Sequence, residues 1–267
     1  MTESSRTTIR TERDGHVLVV TLDRPEARNA CNATMWEELG EVLEEADADP
    51  QVRVVVITGA GELSFCAGAD LKALARGEAV TPTDPAKLAW GFAGIVNHPI
   101  AKPVIAAVNG AALGGGSEIV LAADLAIAAD HARFGLPEVK VGLIAAAGGV
   151  FRLPRQIPPK LAMEMILTGR PIDAARALEL GLVNKIVPQA ELMGAALALA
   201  HEIAGNAPLA VQASKRIAQA IVAGKFARED ADWKVNADAI GVLARSEDAR
   251  EGPRAFAEKR APRWTGR

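Results

Sequence analysis

The sequence predicts an α/β fold with mainly parallel strands, followed by a helical C-terminal part. Short apolar runs rich in β-branched residues alternate with segments of helical period up to about residue 190. Strands without polar alternation are covered on both faces, which is typical of parallel sheets with helices on either side. After residue 190 only helical periods occur. The 267 residues are 49% hydrophobic and 24% charged, which is ordinary for a globular chain.

The first elements are a strand and an amphipathic helix. His16–Asp23 is rich in β-branched residues and ends at the break signal Arg24-Pro25. Asn32 is a good N-cap for a helix that continues to Ala48 with apolar residues at helical spacing. Asp49-Pro50 ends that helix.

The remaining elements continue this alternation and then become helical. The core is predicted to contain, in order, strand Val52–Thr58, loop Gly77–Pro85, helix Ala86–Asn97, strand Val104–Val108, helix Ser117–Ala123 and strand Leu125–Ala129. The C-terminal part is predicted to contain the helices Glu191–Gly205, Pro208–Ala223, Phe226–Leu243 and Glu247–Ala257. We therefore divide the chain into an α/β core over residues 1–190 and a helical region over residues 191–267.

Charge and composition exclude several classes of protein. The net charge is −3 and the isoelectric point is about 5.9, so we expect no nucleic-acid partner. Two cysteines do not make a disulfide framework. No apolar run approaches the roughly 20 residues of a membrane span, and the polar segment Met1–Asp14 lacks the apolar stretch of a signal peptide. We expect a cytoplasmic protein with no membrane partner.

Two segments rich in glycine and alanine are candidates for a ligand site. Phe65–Lys72 follows one predicted buried strand, and Asn109–Glu118 follows another. Small residues let backbone N–H groups approach a ligand closely, and the second segment opens a helix whose first N–H groups have no helical partner. Side by side, the segments could donate two hydrogen bonds to one oxygen atom, as an oxyanion hole does. The alternative is that the glycines only permit tight turns and close packing.

Two glutamates are candidates for acid–base chemistry. Glu118 is followed by the apolar residues Ile119-Val120-Leu121, and Glu138 also has apolar neighbours. Buried together, they would supply an acid and a base in one site, because burial and repulsion raise one pKa. Alone, each is an ordinary acid at the start of a helix or in a loop. No metal site is predicted, since His201-Glu202 lacks the second histidine of the zinc motif.

At these residues the chain resembles the crotonase superfamily, the enoyl-CoA hydratase/isomerase family. The resemblance covers nearly the whole chain. It implies a crotonase-like β-β-α spiral core over residues 1–190 and a helical oligomerisation region over residues 191–267, in a homotrimer or homohexamer. The motifs that carry it are Arg24–Ala30, Phe65–Lys72, Lys102–Gly110, Gly114–Glu118, Phe134–Glu138, Gly148-Gly149, Leu167–Gly169, Gly181–Val183 and Gly252–Arg260.

The resemblance also implies roles for individual residues. The backbone N–H groups of Ala69 and Gly115 match those that hold the thioester oxygen of an acyl-CoA substrate. Glu118 and Glu138 match the two catalytic glutamates of the hydratases, and their 20-residue separation fits the hydratase pattern. No metal and no separate cofactor are implied, because coenzyme A is part of the substrate. The positions that match coenzyme A contacts are Arg28, Ala30, Ala67, Asp70, Leu71, Lys72, Phe256 and Lys259.

Within the family, several stretches look closest to carnitinyl-CoA dehydratases and to related actinobacterial enoyl-CoA hydratases. These stretches are Gly148–Pro154, Ile157–Pro159, Ser246–Ala249 and Trp264–Arg267. One loop departs from both patterns, because Ala145-Ala146 stand where hydratases usually have Pro-Gly and carnitinyl enzymes have Pro-Asp. The missing aspartate argues against carnitinyl specificity.

The activity that the resemblance implies is reversible syn addition of water to a trans-2-enoyl-CoA, giving a 3-hydroxyacyl-CoA. Three alternatives stay open. The first is a family isomerase, which shifts a double bond and adds no water. The second is a dehydratase or hydratase for a bulky acyl group such as a carnitinyl thioester. The third is a non-catalytic acyl-CoA binder, which would bind tightly without turnover.

Overall fold

Strands and helices alternate along the core as the apolar pattern predicts. The computed structural model describes residues 6–267, so the first five residues of the polar N-terminal segment lie outside the described residues. The strands are β1 (Ile9–Asp14), β2 (Val17–Leu22), β3 (Val54–Gly59), β4 (Ser64–Cys66), β5 (Val104–Val108), β6 (Ala111–Leu113), β7 (Leu125–Ala129), β8 (Arg133–Gly135), β9 (Ile172–Asp173), β10 (Lys185–Val187), β11 (Ile221–Val222) and β12 (Lys225–Phe226).

Longer helices follow most of the core strands and fill the C-terminal part. They are α1 (Ala33–Ala48), α2 (Leu71–Ala75), α3 (Pro85–Ala89), α4 (Gly115–Ala122), α5 (Gly149–Gln156), α6 (Pro159–Thr168), α7 (Ala174–Glu179), α8 (Leu192–Ala204), α9 (Pro208–Ala218), α10 (Asp230–Leu243) and α11 (Glu247–Ala257). Short 3₁₀ turns occur at Pro25–Ala27, Phe92–Gly94, Pro137–Val141 and Gln189–Glu191.

Two sheets form the core, and the chain passes repeatedly from one to the other. The larger sheet has the order β1-β2-β3-β5-β7-β10, with β1 antiparallel to β2 and the other neighbours parallel. The smaller sheet has the order β4-β6-β8-β9 and is parallel except between β8 and β9. Each of β3, β5 and β7 leads into a strand of the smaller sheet and then into helical structure. This arrangement confirms the predicted α/β fold with a β-β-α spiral core and a helical C-terminal region.

The larger sheet is buried on both faces because alternate residues of its strands pack against different layers. Val20 and Leu22 of β2 belong to the cluster that contains α1, whereas Val17 and Val19 belong to the cluster that contains α8. Although α8 follows residue 190, it therefore packs on the core sheet, and the division of the chain at that residue stays a prediction. The α8 residues that cover this face are spaced four apart: Leu192, Ala196, Ala200 and Ala204.

Three predicted helices have wrong boundaries, and left-handed backbone explains each of them. The predicted helix over 208–223 ends at Ala218, because Ala220 takes a φ of +51° and the strand β11 follows it. The predicted helix over 86–97 ends at Ala89, because Gly91 takes a φ of +71°. The predicted helix over 226–243 starts only at α10, because Gly224, also at +71°, turns the β11–β12 hairpin before it. A residue in the left-handed region cannot continue a right-handed helix.

The last two helices return over the core beside the strand ends. α11 packs against α2 and the 3₁₀ turn Pro137–Val141. α10 approaches the loop that precedes α5, since Asn236 Nδ2 donates a hydrogen bond to the Ala146 carbonyl at 2.7 Å. No helix within residues 6–267 combines the length and the apolar content that crossing a membrane would require.

Candidate active site

A cavity of about 1160 Å³ lies between the segments that follow β4 and β6 and the C-terminal helices α10 and α11. Small-molecule sites in proteins commonly have volumes of roughly 300–1,000 Å³, so this cavity can take a large ligand. Both Gly/Ala segments and both candidate glutamates line it. The cavity therefore brings together the four residues for which the sequence predicts catalytic roles.

The first Gly/Ala segment pairs with the chain that precedes α1. Cys31 N–H donates to the Gly68 carbonyl at 2.8 Å, and Asp70 N–H donates to the Cys31 carbonyl at 3.0 Å. This parallel pairing turns the Ala69 N–H to the opposite side, where it makes no hydrogen bond to any described residue. Gly68 has a φ of +91°, and a Cβ there would stand 3.1 Å from the Gly115 nitrogen. Glycine therefore lets the two segments approach each other.

The second segment presents its free N–H group at the start of α4. Gly114 N–H donates to the Gly135 carbonyl at 2.9 Å, which anchors the turn before the helix. Gly115 is the first residue of α4, so its N–H has no partner in the helix, and the rest of the described chain offers none. The Phe92 ring covers this position, because a Cβ on Gly115 would stand 2.3 Å from it. Two unpaired N–H groups, those of Ala69 and Gly115, thus border one cavity.

Glu118 lies in the first turn of α4 and is held by the start of α5. Its side chain is buried, and its Oε1 accepts a hydrogen bond from the Gly149 N–H at 2.9 Å. Burial raises the pKa of Glu118 well above its ordinary value, and the nearby Glu138 carboxylate raises it further. The backbone N–H groups of Gly149 and Ala147 and, to a smaller extent, the positive charge of Arg152 favour the ionised form and oppose this rise in pKa.

Glu138 reaches the same cavity from the 3₁₀ turn Pro137–Val141. Its Oε1 lies 3.0 Å from the point where a Cβ on Gly114 would stand, next to the turn that presents the Gly115 N–H. Its Oε2 is buried and has no hydrogen-bond partner among residues 6–267. Burial raises the pKa of Glu138 above its ordinary value. The paired carboxyls therefore keep a proton at a pH where isolated glutamates have lost theirs.

A buried ion pair stands behind the turn that holds Glu118. Arg152 of α5 donates to both carboxylate oxygens of Glu229, from Nε at 2.8 Å and from Nη2 at 2.6 Å. Glu229 immediately precedes α10, so the pair links that helix to α5. The Arg152 Nη1 lies 3.3 Å from the point where a Cβ on Gly148 would stand. The guanidinium is therefore packed against the Gly148-Gly149 turn.

The predicted coenzyme A residues fall into two groups. Ala67, Leu71 and Phe256 line the cavity. Arg28 lies beside them, because its carbonyl accepts a hydrogen bond from the Ala67 N–H at 3.1 Å. The Asp70 carboxylate already caps α2 and forms an ion pair with Arg24, the residue just before the 3₁₀ turn Pro25–Ala27.

The other predicted coenzyme A positions do not line the cavity. Ala30 is buried within the segment that precedes α1, and its carbonyl accepts a hydrogen bond from Arg24. Lys72 and Lys259 are exposed on α2 and after α11. The roles of all these residues toward coenzyme A stay predictions.

Sequence reasoning missed the wall that α10 contributes to the cavity. Trp233, Asn236, Ala237 and Ile240 line it and are spaced i, i+3, i+4 and i+7, which places them on one face of the helix. That spacing was visible in the sequence, but the same spacing is typical of any helix face that packs on a core. Trp233 also packs edge-on against Phe151, with ring centroids 4.9 Å apart.

The described part of the chain has no cluster of side chains placed to bind a metal ion and no accessible cysteine thiol. Over residues 6–267, no group of three or more His, Cys, Asp or Glu side chains is placed to hold a metal ion. Cys31 and Cys66 are both buried, and burial raises the pKa of the Cys66 thiol to about 12. Cys66 is therefore a packing residue in its protonated form.

Comparisons with known proteins agree with this geometry. The sequence pattern of the family described as enoyl-CoA hydratase/isomerase matches residues 12–267. A carnitinyl-CoA dehydratase of Proteus mirabilis is 48% identical over 257 residues, covering 95% of this chain and 96% of that one. The solved structure of a carnitinyl-CoA hydratase from Mycobacterium avium is 55% identical with a TM-score of 0.95, covering 98% of this chain and 100% of that one. The structure of EchA1_1 from Mycobacterium paratuberculosis is also 55% identical, with a TM-score of 0.93 and coverage of 97% and 99%.

The chain belongs to the enoyl-CoA hydratase/isomerase family. The matched region spans both sheets and the C-terminal helices, so the whole described fold belongs to the family. The resemblance inferred from the sequence motifs is therefore confirmed. Among its relatives are proteins named for carnitinyl-CoA chemistry, as the sequence comparison within the family predicts.

Proposed function

We propose that the protein is an enoyl-CoA hydratase, which adds water reversibly and with syn geometry to a trans-2-enoyl-CoA to give a 3-hydroxyacyl-CoA. One observation carries this proposal: two buried glutamates, Glu118 and Glu138, share a cavity with two unpaired backbone N–H groups. The N–H groups supply stabilisation for a carbonyl oxygen, and the glutamates supply an acid and a base.

The Ala69 and Gly115 N–H groups would donate to the thioester carbonyl oxygen. Water attack at C3 moves electron density onto that oxygen as an enolate-like charge, and fixed donors stabilise this charge more than the neutral substrate. Removal of a single oxyanion-hole donor in other enzymes costs about 2.7–4 kcal/mol of transition-state stabilisation. Because Phe92 covers Gly115, this interaction would take place away from bulk water.

The two glutamates would share the proton transfers of the reaction. Ionised Glu118 takes a proton from the attacking water while the water oxygen bonds to C3. Protonated Glu138 delivers its proton to C2, which completes the addition of one water across the double bond. The proton count of the pair is unchanged, since one proton has moved from Glu138 to the product and one from water to Glu118. General acid–base catalysis of this kind typically contributes about 10²–10⁴-fold.

A second candidate is a carnitinyl-CoA dehydratase, which runs the same chemistry on a cationic acyl group. The 48% identity to a curated protein of that name favours it. Ala146 argues against it, because carnitinyl enzymes have an aspartate at that position and no carboxylate replaces it in this loop. The two candidates share the site and differ only in the acyl group.

The test is an assay of the full chain against a panel of CoA thioesters, read by mass spectrometry. The panel contains trans-2-enoyl-CoAs of graded length, a trans-3-enoyl-CoA and the 4-trimethylammonio derivative of trans-2-butenoyl-CoA. The proposal expects a mass gain of one water with the unsubstituted trans-2-enoyl esters. A product formed only from the trimethylammonio ester would favour the second candidate. Double-bond migration without mass gain, or binding without turnover, would contradict both.

A further inference from the structure

Arg152 occupies an unusual position, because it is buried directly behind the Gly148-Gly149 turn that holds Glu118. The residue is 5% exposed, and its side chain lies among three aromatic rings, those of Phe151, Phe226 and Trp233, with the guanidinium carbon 5.4–5.8 Å from the ring centroids. A buried arginine is costly unless its charge is compensated and its donors are used. Nε and Nη2 are used by Glu229, but Nη1 is buried and donates no hydrogen bond within residues 6–267.

The unused nitrogen is the one that faces the turn holding Glu118. Nη1 lies 3.3 Å from the point where a Cβ on Gly148 would stand, and Gly149 donates its N–H to Glu118. The Arg152 N–H in turn donates to the Gly148 carbonyl at 2.8 Å, which fixes this turn against the arginine's own helix. The positive charge and the N–H donor therefore act on the same carboxylate.

The two glutamates of the pair have different surroundings. The backbone N–H groups of Gly149 and Ala147 and, to a smaller extent, the charge of Arg152 favour the ionised form of Glu118. Glu138 has a buried Oε2 without a donor among the described residues, which favours its protonated form. The charged groups that act on Glu118 are Glu138 from the 3₁₀ turn and Arg152 from α5, with Glu229 behind the arginine.

We infer that Arg152 is a positioning residue, which acts from behind the Gly148-Gly149 turn to favour the ionised form of Glu118, the proposed base. This inference rests on the proposed function for the role of Glu118 as the base, but the action of Arg152 on Glu118 is a property of the protein without substrate. Glu229 weakens the effect of Arg152 on Glu118, because its carboxylate neutralises part of the arginine's charge.

The ion pair gives two substitutions with opposite expected signs. Arg152→Met removes the positive charge and leaves the Glu229 carboxylate uncompensated, so the pKa of Glu118 should rise. Glu229→Gln leaves Arg152 charged and uncompensated, so the pKa of Glu118 should fall. A purely structural role would not separate the two, because each variant breaks the same pair. Arg152→Lys keeps the charge without the two-point contact and should give a pKa nearer to that of the unsubstituted protein.

The experiment is a pH titration of the Glu118 carboxyl band by infrared difference spectroscopy in the full-length Glu138→Gln background. In that background only one glutamate of the pair titrates, and no turnover is required. We expect shifts of about half to one pH unit, upward in Arg152→Met and downward in Glu229→Gln. The control is Arg155→Met, which breaks the more exposed pair between Arg155 and Asp232 that joins the same two helices and should leave the titration unchanged.

The outcomes separate this inference from the proposed function. Shifts of the same sign in both variants, or no shift in either, would overturn the inference, even if the protein hydrates enoyl-CoA esters. Opposite shifts in a protein that hydrates no ester would support the action of Arg152 on Glu118 and count against the function. If Arg152→Met does not fold, as circular dichroism would show, the Glu229→Gln and Arg152→Lys titrations decide by themselves.

Discussion

At the scale of single residues, the site depends on backbone positions that admit no side chain. Gly116 is the sharpest case, because a Cβ there would stand 1.9 Å from the Cys66 carbonyl oxygen. The start of α4 can approach β4 only because this residue has no side chain. The Gly115 N–H lies in the same first turn, so the position of the proposed oxyanion donor depends on the same contact.

The residue Gly116 gives a stability prediction with a matched control. Gly116→Ala should lower the free energy of unfolding by about 1–3 kcal/mol or more, because the backbone must shift to accept the methyl group. Gly194 in α8 has open space around it, so Gly194→Ala should be neutral or should stabilise by about 0.4–1 kcal/mol. Denaturant unfolding followed by circular dichroism measures both. Equal stability of the two variants would show that α4 and β4 do not pack as described.

The buried glutamates predict a pH-dependent stability. Their folded pKa values lie above the ordinary value of 4.5. Their contribution to the unfolding free energy is therefore complete below pH 4.5 and is lost as the pH rises through their raised folded pKa values. Glu138→Gln removes one such group, so its unfolding free energy relative to the unsubstituted protein should increase by about 1–3 kcal/mol between about pH 5 and pH 8.

The control for this pH effect is Glu202→Gln, because Glu202 is exposed on α8 and does not line the cavity. Its difference from the unsubstituted protein should stay constant over the same pH range. Unfolding curves at several pH values give both differences. A decrease in the relative stability of Glu138→Gln as the pH rises would mean that the carboxyl is not held in a buried, proton-retaining environment.

At the scale of elements, α10 is both a structural helix and a wall of the cavity. Its cavity face is spaced along one side of the helix, while Glu229 at its start joins the ion pair that stands behind Glu118. Asn236 ties the same helix to the loop at Ala146. The residues of α10 that line the cavity and the ion pair behind Glu118 therefore belong to one packed unit.

The α10 wall predicts a change in acyl-length preference. Ala237→Phe should fill part of the cavity and reduce kcat/KM for long trans-2-enoyl-CoAs by about tenfold or more, while the four-carbon ester is affected less, because overfilling a site acts on the larger ligand. Ala239 is exposed and does not line the cavity, so Ala239→Phe is the control and should leave the ratio of the two activities unchanged. A uniform loss across all chain lengths in Ala237→Phe would contradict the hypothesis that the α10 wall borders the acyl chain.

Strands and helices could be predicted from the sequence where neighbouring residues alone determine them. The buried strands β3 and β5 lack polar alternation, and Asn32 caps α1 because its Oδ1 accepts a hydrogen bond from the Met35 N–H at 2.9 Å. The end of α3 and the start of α10 were not predictable, because each depends on a glycine in the left-handed region. A glycine in a sequence permits that conformation but does not require it.

At the scale of the whole molecule, the spiral brings together segments far apart in sequence. The turns after β4 and β6 meet because their strands are neighbours in the smaller sheet. Glu138 joins them from the turn after β8, the next strand in that sheet. Strand order is decided by long-range packing, so this convergence was accessible from the sequence only through the resemblance to a family.

The C-terminal wall of the cavity lay beyond sequence reasoning for the same physical reason. A helix face at i, i+3, i+4 and i+7 needs a covering layer, but the sequence does not say which layer covers it. The homotrimer or homohexamer that the resemblance implies stays a prediction. Several apolar side chains on α9 and α10 are exposed in the single chain and are of the kind that a subunit interface covers: Leu209, Ile217, Val235 and Val242.

The measurement that tests the central claim most directly is the hydration of trans-2-butenoyl-CoA by the Glu118→Gln and Glu138→Gln variants, with binding measured separately. The account predicts that kcat falls by about 10²–10⁴-fold in each variant, because each substitution removes one partner of the proton transfers. The Kd for the saturated butanoyl-CoA should stay within about threefold, since these carboxyls act on the transition state more than on the bound ester. Hydration at the unsubstituted rate by either variant would contradict the account.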